Sequence, residues 1–156
     1  MRYSFSYGPL FSTKQGRSSR HSRVFFSTSN LEIVSRRVLI ADDAAFFRTL
    51  LREMLSEAGF EVVAEAKDGR EAVDLARALR PDIVILDVVM PVKSGLDAAR
   101  EISGLHLPLK IVMCSSMGHD QVVEEAALSG ACAYIHKPLD KAAVLDTLVS
   151  VEDMDF

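Results

Sequence analysis

Five polar residues of this sequence stand at the ends of short apolar runs: Asp42, Asp43, Asp87, Ser115 and Lys137. Three carboxylates held close together repel one another, which raises the pKa of at least one of them. A hard divalent cation relieves that repulsion, and an all-oxygen site with few protein ligands suits Mg²⁺, which keeps several of its waters. An ammonium and a hydroxyl beside such a site form a cradle for a phosphoryl group, and a carboxylate there is a competent nucleophile. Brought together, these residues predict magnesium-dependent phosphoryl chemistry.

Each of these residues also has an ordinary structural explanation when it is taken alone. Asp42 and Asp43 suit the start of a helix, since Asp is favoured as an N-cap. Asp87 could be a turn residue, Lys137 could mark a strand exit, and Ser115 by itself indicates nothing. Capping and turn preferences do not explain why all five residues occupy the same end of their apolar runs. We therefore favour the functional interpretation.

The apolar runs predict strands that alternate with helices. In the run Ile83–Leu86 all four residues are apolar and three are β-branched, as in a strand that is buried on both faces. Four further strands are predicted at 38–41, 62–64, 110–114 and 131–135, and a helical pattern follows each strand. Because each crossover between parallel strands is right-handed, all strands point the same way and end on one rim. The sequence predicts an α/β fold with a five-stranded parallel sheet and five helices, and ligands of such sheets bind at that rim.

The first 36 residues differ from the rest. They hold six Lys/Arg, one acid and nine serines, whereas residues 37–156 hold twelve Lys/Arg and 21 acids. We predict a basic, Ser/Arg-rich extension at 1–36 without a stable fold. Two alternatives are an organelle transit peptide and a true start near Leu31. The acidic body argues against nucleic acid as a direct partner.

The bulk composition is that of one globular domain. The chain has 156 residues, 49% of them hydrophobic and 26% charged, and no apolar run approaches the roughly 18 residues of a membrane span. We therefore expect no membrane insertion. Cys114 and Cys132 lack metal-ligand spacing and fall in apolar segments, which favours reduced thiols in the cytoplasm over a disulfide.

The combination of motifs resembles the receiver domain of two-component response regulators. The motifs are the run 38–43, Asp87 to Pro91 with Gly95, Ser115, and the pair Lys137-Pro138. The resemblance covers residues 37 to about 150, so we predict a receiver domain at 37–156. It implies the flavodoxin-like strand order 2-1-3-4-5 and a cis peptide bond before Pro138. The segments 42–48 and 114–118 are most similar to the stand-alone, CheY-like chemotaxis type.

The resemblance also implies a role for each matching residue. Asp87 would accept a phosphoryl group from a sensor histidine kinase or a histidine phosphotransfer protein. Asp43, Asp87 and the backbone carbonyl of Val89 would bind Mg²⁺ directly, and Asp42 would bind it through water. Lys137 would offset negative charge on the phosphoryl group. Such a chain is a signalling protein that assists its own phosphorylation and dephosphorylation.

A phosphorylation switch is implied by the same resemblance. Ser115 would bond a phosphoryl oxygen and vacate space for Tyr134, and the surface of the fourth and fifth helices would change. Six residues follow Ser150, too few for an output domain, so we expect a single-domain protein that acts by docking to a target protein. Control of a flagellar motor switch is the leading use, and a phosphorelay intermediate or another adaptor role is the alternative.

Two further interpretations concern single positions. Phosphatases with an aspartyl nucleophile place an acid/base Asp two residues after the nucleophile; that position is Val89 here, which makes a hydrolase the weaker hypothesis.

Phe46 and Phe47 are expected to pack on a helix face, because aromatic residues at helical spacing usually fill a core. The alternative is that one of the two rings lies against the neighbouring surface.

Overall fold

The structure is a computed structural model that describes residues 35–154. The predicted extension at 1–36 therefore lies almost wholly outside the described residues. Five strands alternate with five helices in the described part of the chain. The elements are β1 (Arg37–Ala41), α1 (Ala45–Glu57), β2 (Glu61–Ala66), α2 (Gly69–Leu79), β3 (Ile83–Leu86), α3 (Gly95–Ser103), β4 (Lys110–Ser115), α4 (Asp120–Leu128), β5 (Ala131–His136) and α5 (Lys141–Glu152).

The strands form one parallel sheet in the order β2-β1-β3-β4-β5. This order, the four crossover helices and the final helix α5 confirm the predicted flavodoxin-like α/β fold. The central strand is β3, whose four residues are all buried. A short apolar strand takes this place because helices cover both faces of a parallel sheet, so that no position along it needs a polar side chain.

Two hydrophobic clusters, one on each face of the sheet, hold the helices in place. On one face Val84 and Leu86 pack with residues of α2, α3 and α4, among them Val73 and Ile102. On the other face Ile83 and Ile85 pack with α1 and α5 through Leu51, Leu55, Val144, Leu148 and Val151. Alternation of side chains along β3 therefore divides its four apolar residues between the two clusters.

Three helices begin with a side-chain cap that the sequence encodes. Asp68 accepts the N–H of Glu71 at 2.8 Å, Ser94 caps α3, and Asp140 caps α5. Helix α1 is different, because Ala44 stands at its N-cap and no side chain makes the capping hydrogen bond. The expectation that Asp42 or Asp43 serves only to cap this helix is therefore not supported.

The expectation for the two phenylalanines was wrong for one of them. Phe46 is 70% exposed, whereas Phe47 is half-buried. Both lie in the first turn of α1, and the buried residues of this helix, Leu51 and Leu55, come later. A helical pattern alone therefore overestimates how much of the first turn the core covers.

The two cysteines and the bond before Pro138 can also be compared with the sequence expectations. Cys114 is buried and Cys132 half-buried, and both are free thiols. The peptide bond between Lys137 and Pro138 is cis. Within residues 35–154, no helix combines the length and the apolar character that a membrane crossing requires.

Candidate functional site

Three carboxylates meet at the carboxyl ends of two neighbouring strands. Asp42 and Asp43 directly follow β1, and Asp87 directly follows β3. One carboxylate oxygen from each residue lies within 4.8 Å of the other two. Asp42 and Asp87 are buried and Asp43 is exposed. This set of oxygens can hold a metal ion, and it is open to solvent on the side of Asp43.

Lys137 brings a positive charge into this acidic cluster. It follows β5, two strands away from β3, and its Nζ lies 2.6 Å from Oδ2 of Asp42 and 3.1 Å from Oδ2 of Asp87. Burial by itself lowers the pKa of the ammonium, but the hydrogen bond to Asp42 and the charge of Asp87 outweigh that cost and raise it. Lys137 is therefore a firmly charged group between the two buried carboxylates.

The site nevertheless keeps an excess of negative charge. Three carboxylates face one ammonium, so two negative charges are left when all groups are ionised. The pKa of Asp87 is raised, first by its burial and also by the nearby charge of Asp42, although Lys137 pulls it down. Carboxylate oxygens are the ligands that Mg²⁺ prefers, and its charge matches the excess. The donor set therefore fits the predicted ion.

Backbone hydrogen bonds fix where the two strands release these side chains. The Asp87 N–H donates to the carbonyl of Ala41 at 2.9 Å, and the Asp42 N–H donates to the carbonyl of Ala66 at 3.1 Å. Both bonds continue the ladder of the parallel sheet by one residue beyond the strands. Asp42 and Asp87 thus share the rigidity of the sheet, although both belong to loops.

The loop after Asp87 is held by close backbone packing. The N–H of Gly95 donates to the carbonyl of Val88 at 2.8 Å, and the N–H of Gly69 donates to the carbonyl of Lys93 at 3.1 Å. A Cβ added at Gly95 would overlap the carbonyl of Asp87, and one at Gly69 would overlap the carbonyl of Lys93. Glycine is required at both positions because the chain segments approach too closely for a side chain.

A tight turn and an ion-pair cluster complete this loop. The Lys93 N–H donates to the carbonyl of Pro91 at 2.7 Å, and Val92 between them has a φ of 68°. This conformation is strained for a β-branched residue. The Lys93 ammonium pairs with Glu101 on α3, which also pairs with Arg70 on α2. The loop that carries Asp87 is therefore tied to two helices.

The loop before α1 is fixed by Arg48. Its guanidinium donates to the backbone carbonyl of Asp42 at 2.8 Å and lies 3.4 Å from Glu65 on β2. The carboxylate of Asp42 accepts the N–H of Ala44 at 2.9 Å through its other oxygen, Oδ1. The two oxygens of Asp42 therefore have separate tasks, because Oδ1 shapes the loop and Oδ2 faces Lys137.

Ser115 and Tyr134 lie on the neighbouring strands β4 and β5, where Ser115 pairs with His136 and Tyr134 pairs with Met113. Ser115 is the buried last residue of β4, and its carbonyl accepts the N–H of Lys137 at 3.0 Å. The Ser115 hydroxyl accepts the N–H of Met117 at 3.3 Å, and the Tyr134 hydroxyl donates to the carbonyl of Met117. Burial raises the pKa of the buried Tyr134 phenol. One loop residue thus links the two predicted switch residues.

Val89 contacts Asp87 through its backbone. Its N–H lies 3.4 Å from Oδ1 of Asp87, and its side chain is largely exposed. The position is therefore close enough to the acidic cluster for the carbonyl to be considered as a metal ligand, and that role remains a prediction. No ionisable side chain projects from this position, which bears on the hydrolase alternative.

Two residues of the site were missed by the sequence analysis. The ring of Phe47 covers the Lys137 ammonium, with Nζ 3.8 Å from the ring centroid. Arg48 supports the loop of Asp42, as described above. Their position in the sequence could have indicated this role. Both residues belong to the first turn of the helix that follows Asp43, and this turn begins at the rim where the carboxylates lie.

The chain is similar to known chemotaxis proteins over almost their whole length. Its residues 38–149 match the family described as response regulator receiver domain. It is 44% identical to the chemotaxis protein CheY of Thermotoga maritima over 118 residues, which is 76% of this chain and 98% of that protein. It is 40% identical to CheY of Halobacterium salinarum over 118 residues, with the same two shares.

A solved structure has the same fold. The crystal structure of the CheX-CheY-BeF3-Mg²⁺ complex of Borrelia burgdorferi contains a chain with 34% identity and a TM-score of 0.74, and the alignment covers 76% of this chain and 90% of that one. The family match at residues 38–149 begins in β1, ends in α5 and includes the three carboxylates of the acidic cluster.

Proposed function

Because this chain belongs to the response regulator receiver domain family, we propose that it is a phosphorylation-controlled switch whose acceptor is Asp87. The phosphoryl donor is a histidine kinase or a histidine phosphotransfer protein. The single observation that carries the proposal is the placement of Asp87, a buried carboxylate 3.1 Å from the Lys137 ammonium and clustered with Asp42 and Asp43. Three strands of the sheet converge to create it.

The transfer step follows from the chemistry of the donor. One carboxylate oxygen of Asp87 attacks phosphorus and forms a P–O bond, while the P–N bond to the donor imidazole breaks. The leaving nitrogen keeps the electron pair of that bond, and the imidazole returns to the partner. Lys137 offsets the charge on the phosphoryl oxygens, where phosphoryl transfer needs most help. Ser115 offers a hydroxyl at the same rim.

Asp42, Asp43, Asp87 and the carbonyl of Val89 would hold the ion. When bound, Mg²⁺ supplies positive charge beside the phosphoryl oxygens and orients them for in-line attack. The three carboxylates and the excess negative charge described above support this assignment. With a second cation at the site, Lys137 would no longer be the only positive charge that offsets the carboxylates of Asp42 and Asp87.

The output of the switch is a docking event. Ser115 bonds a phosphoryl oxygen, and the movement is passed to Tyr134 through the loop of Met117, which both side chains contact. The surface of α4, β5 and α5 then favours a target protein. Similarity to CheY proteins supports chemotaxis and a flagellar motor switch as the target. A phosphorelay intermediate is the alternative use.

A hydrolase is disfavoured by one position. Turnover of a phosphoaspartate needs a proton carrier near the leaving group, and the residue two positions after Asp87 is Val89, with its apolar side chain in solvent. We therefore propose that the phosphoryl group stays on Asp87 long enough to act as a signal.

The test is stoichiometric labelling with a small donor. Acetyl phosphate and Mg²⁺ should add one phosphoryl group to the parent protein, seen as a mass gain of that size, and Asp87→Asn should abolish it. Asp74→Asn is the matched control, because this exposed acid lies on α2 away from the rim and should label like the parent. Labelling of Asp87→Asn, or steady release of phosphate in place of a mass gain, would contradict the proposal.

A further inference from the structure

We propose that Phe47 is a positioning residue for phosphoryl transfer and acts by holding the Lys137 ammonium under its ring. The inference rests on the proposed function, since it assigns Lys137 to the phosphoryl oxygens. Its basis is the position of Nζ of Lys137, which lies over the Phe47 ring, 3.8 Å from the ring centroid. A cation over an aromatic face at this distance is attracted by the negative face of the ring.

The ring is a third contact of an ammonium that already pairs with two carboxylates. Nζ is bounded by Asp42 at 2.6 Å and by Asp87 at 3.1 Å, and the Lys137 side chain is only 7% exposed. A lysine has a flexible four-carbon stem, so a charge on it is only as well placed as its contacts. Phe47 is thus the third contact that limits the position of Nζ.

An aromatic ring is suited to this place because it orients the cation without neutralising it. Another carboxylate would hold Lys137 as well, but it would also cancel the charge that the phosphoryl group needs. The contacts to Asp42 and Asp87 must compete with the roles of these acids toward a metal ion and a phosphoryl group. The contact to Phe47 carries no such competition, because an apolar ring is neither a ligand of Mg²⁺ nor an acceptor of a phosphoryl group.

Contacts in the first turn of α1 hold the Phe47 ring in place. Phe47 belongs to the first turn, where its N–H donates to the carbonyl of Ala44 at 3.1 Å. The ring of Phe46 meets it edge-on, with centroids 5.3 Å apart and an interplanar angle of 74°. Arg48, the next residue, anchors the same turn to the carbonyl of Asp42 at 2.8 Å. The ring is therefore fixed relative to the carboxylates.

The test compares an aromatic and a non-aromatic replacement. Phe47→Met keeps an apolar side chain of similar volume, and it should slow phosphorylation by acetyl phosphate and Mg²⁺ by about three- to tenfold, as expected for loss of a cation–π contact. Phe47→Tyr keeps the ring and should stay within about twofold of the parent. Phe60→Met is the matched control: it makes the same exchange directly before β2, at the end of the strands opposite to Lys137, and it should also stay within about twofold.

A second measurement observes the contact without any phosphoryl donor. In the metal-free protein with EDTA, the ring current of Phe47 should shift the ε-methylene proton resonances of Lys137 upfield of those of the other lysines. Phe47→Met should remove this shift, and Phe47→Tyr should retain it. Thermal unfolding of all variants shows whether a slower reaction reflects a damaged fold, which would also lower the midpoint.

The outcomes separate this inference from the proposed function. A labelled parent together with a Phe47→Met variant that reacts at the parental rate overturns the role of Phe47 alone. Equal losses in Phe47→Met and Phe47→Tyr overturn it as well, because the ring would then not be the active feature. A parent that takes no label counts against the proposed function and against this role with it, whatever the resonances of Lys137 show.

Discussion

The two ends of the sheet differ in how their charged side chains are paired. At the amino end of the strands, two basic side chains donate to backbone carbonyls of the helices. The Arg37 guanidinium donates to the carbonyls of Leu79 and Arg80 at 2.7 and 3.1 Å, and the Arg37 N–H donates to Asp82 at 2.8 Å. The Lys110 ammonium donates to the carbonyl of Val151 at 2.7 Å. These contacts supply further donors to backbone carbonyls at the C-terminal ends of α2 and α5.

At the carboxyl end, charge is concentrated and left incompletely balanced. The acidic cluster consists of Asp42, Asp43 and Asp87, and the ammonium of Lys137 pairs with Asp42 and Asp87. Burial and the charge of Asp42 raise the pKa of Asp87. Repulsion of this kind lowers the stability of the folded protein, so a structural role in the fold does not account for it. The contacts at the amino end therefore hold helices to the sheet. The excess negative charge at the carboxyl end is suited to binding a cation from solution.

Removing Lys137 should produce the largest loss of stability. In the metal-free protein, Lys137→Met leaves Asp42 and Asp87 buried without a cation, and we expect the free energy of unfolding to fall by about 3–5 kcal/mol, as when one partner of a buried ion pair is removed. Urea unfolding in EDTA measures it. Mg²⁺ should restore part of the loss, because it supplies the missing positive charge.

A double variant controls for the lost side-chain packing of Lys137. Asp42→Asn removes one of the two carboxylates that the ammonium contacts, so Lys137→Met combined with Asp42→Asn should be more stable than Lys137→Met alone. If the double variant is less stable than the single one, the loss comes from packing and not from uncompensated charge, and the contrast between the two ends does not hold.

The amino end should respond more moderately and without any effect on phosphoryl chemistry. Arg37→Met removes two charge-assisted hydrogen bonds to carbonyls at the end of α2, and we expect the protein to be destabilised by about 2 kcal/mol. Mg²⁺ should not restore this loss, and labelling by acetyl phosphate should proceed at the parental rate. Urea unfolding and the mass assay measure the two effects separately.

Arg36 provides the matched control for this prediction. It is the neighbouring arginine at the same end, and its 45% exposed side chain pairs with the part-buried Glu152. Because solvent screens an ion pair whose cation is exposed, Arg36→Met should cost less than Arg37→Met, about 1 kcal/mol. A slower phosphorylation of Arg37→Met would show that the two ends of the sheet are coupled, which contradicts the division of roles argued above.

The sequence was sufficient for the fold and for the polar residues that end its strands. An unbroken apolar run such as Ile83–Leu86 has few interpretations besides a doubly covered strand, and right-handed crossovers then bring all strand ends to one rim. Asp42, Asp87 and Lys137 could be placed together for this reason, although 95 residues separate the first from the last. The strand order itself came from the family resemblance.

Features that depend on the direction of one side chain or one peptide could not be predicted. Phe46 and Phe47 are adjacent and chemically identical, yet one lies in solvent and the other covers Lys137. A helical period assigns faces to within a residue or so, which is too coarse to separate neighbours at a helix end. Val92 was also missed, because a valine gives no local signal for a positive φ.

The smallest expected effect is a gain in stability at the carboxyl end. Asp87→Asn removes one of the three clustered charges, and in EDTA near pH 7 we expect a gain of about 1 kcal/mol, the repulsion between two unit charges about 4 Å apart in water. Because the pKa of Asp87 is raised above 3.8 by folding, the native state holds its proton longer than the unfolded state as pH rises. The parent therefore loses stability from about pH 3.8 upward through the raised pKa, and the variant does not.

The difference between variant and parent should accordingly grow with pH over that range and then become constant. Urea unfolding at a series of pH values in EDTA measures it, and saturating Mg²⁺ should reverse its sign, because the parent has one more carboxylate with which to bind the ion. Asp74→Asn, which removes an exposed acid on α2, should show no such dependence. A variant that is less stable than the parent at every pH, with or without Mg²⁺, would mean that the charge of Asp87 supports the fold. The carboxyl end would then resemble the amino end, and its excess charge would need another explanation.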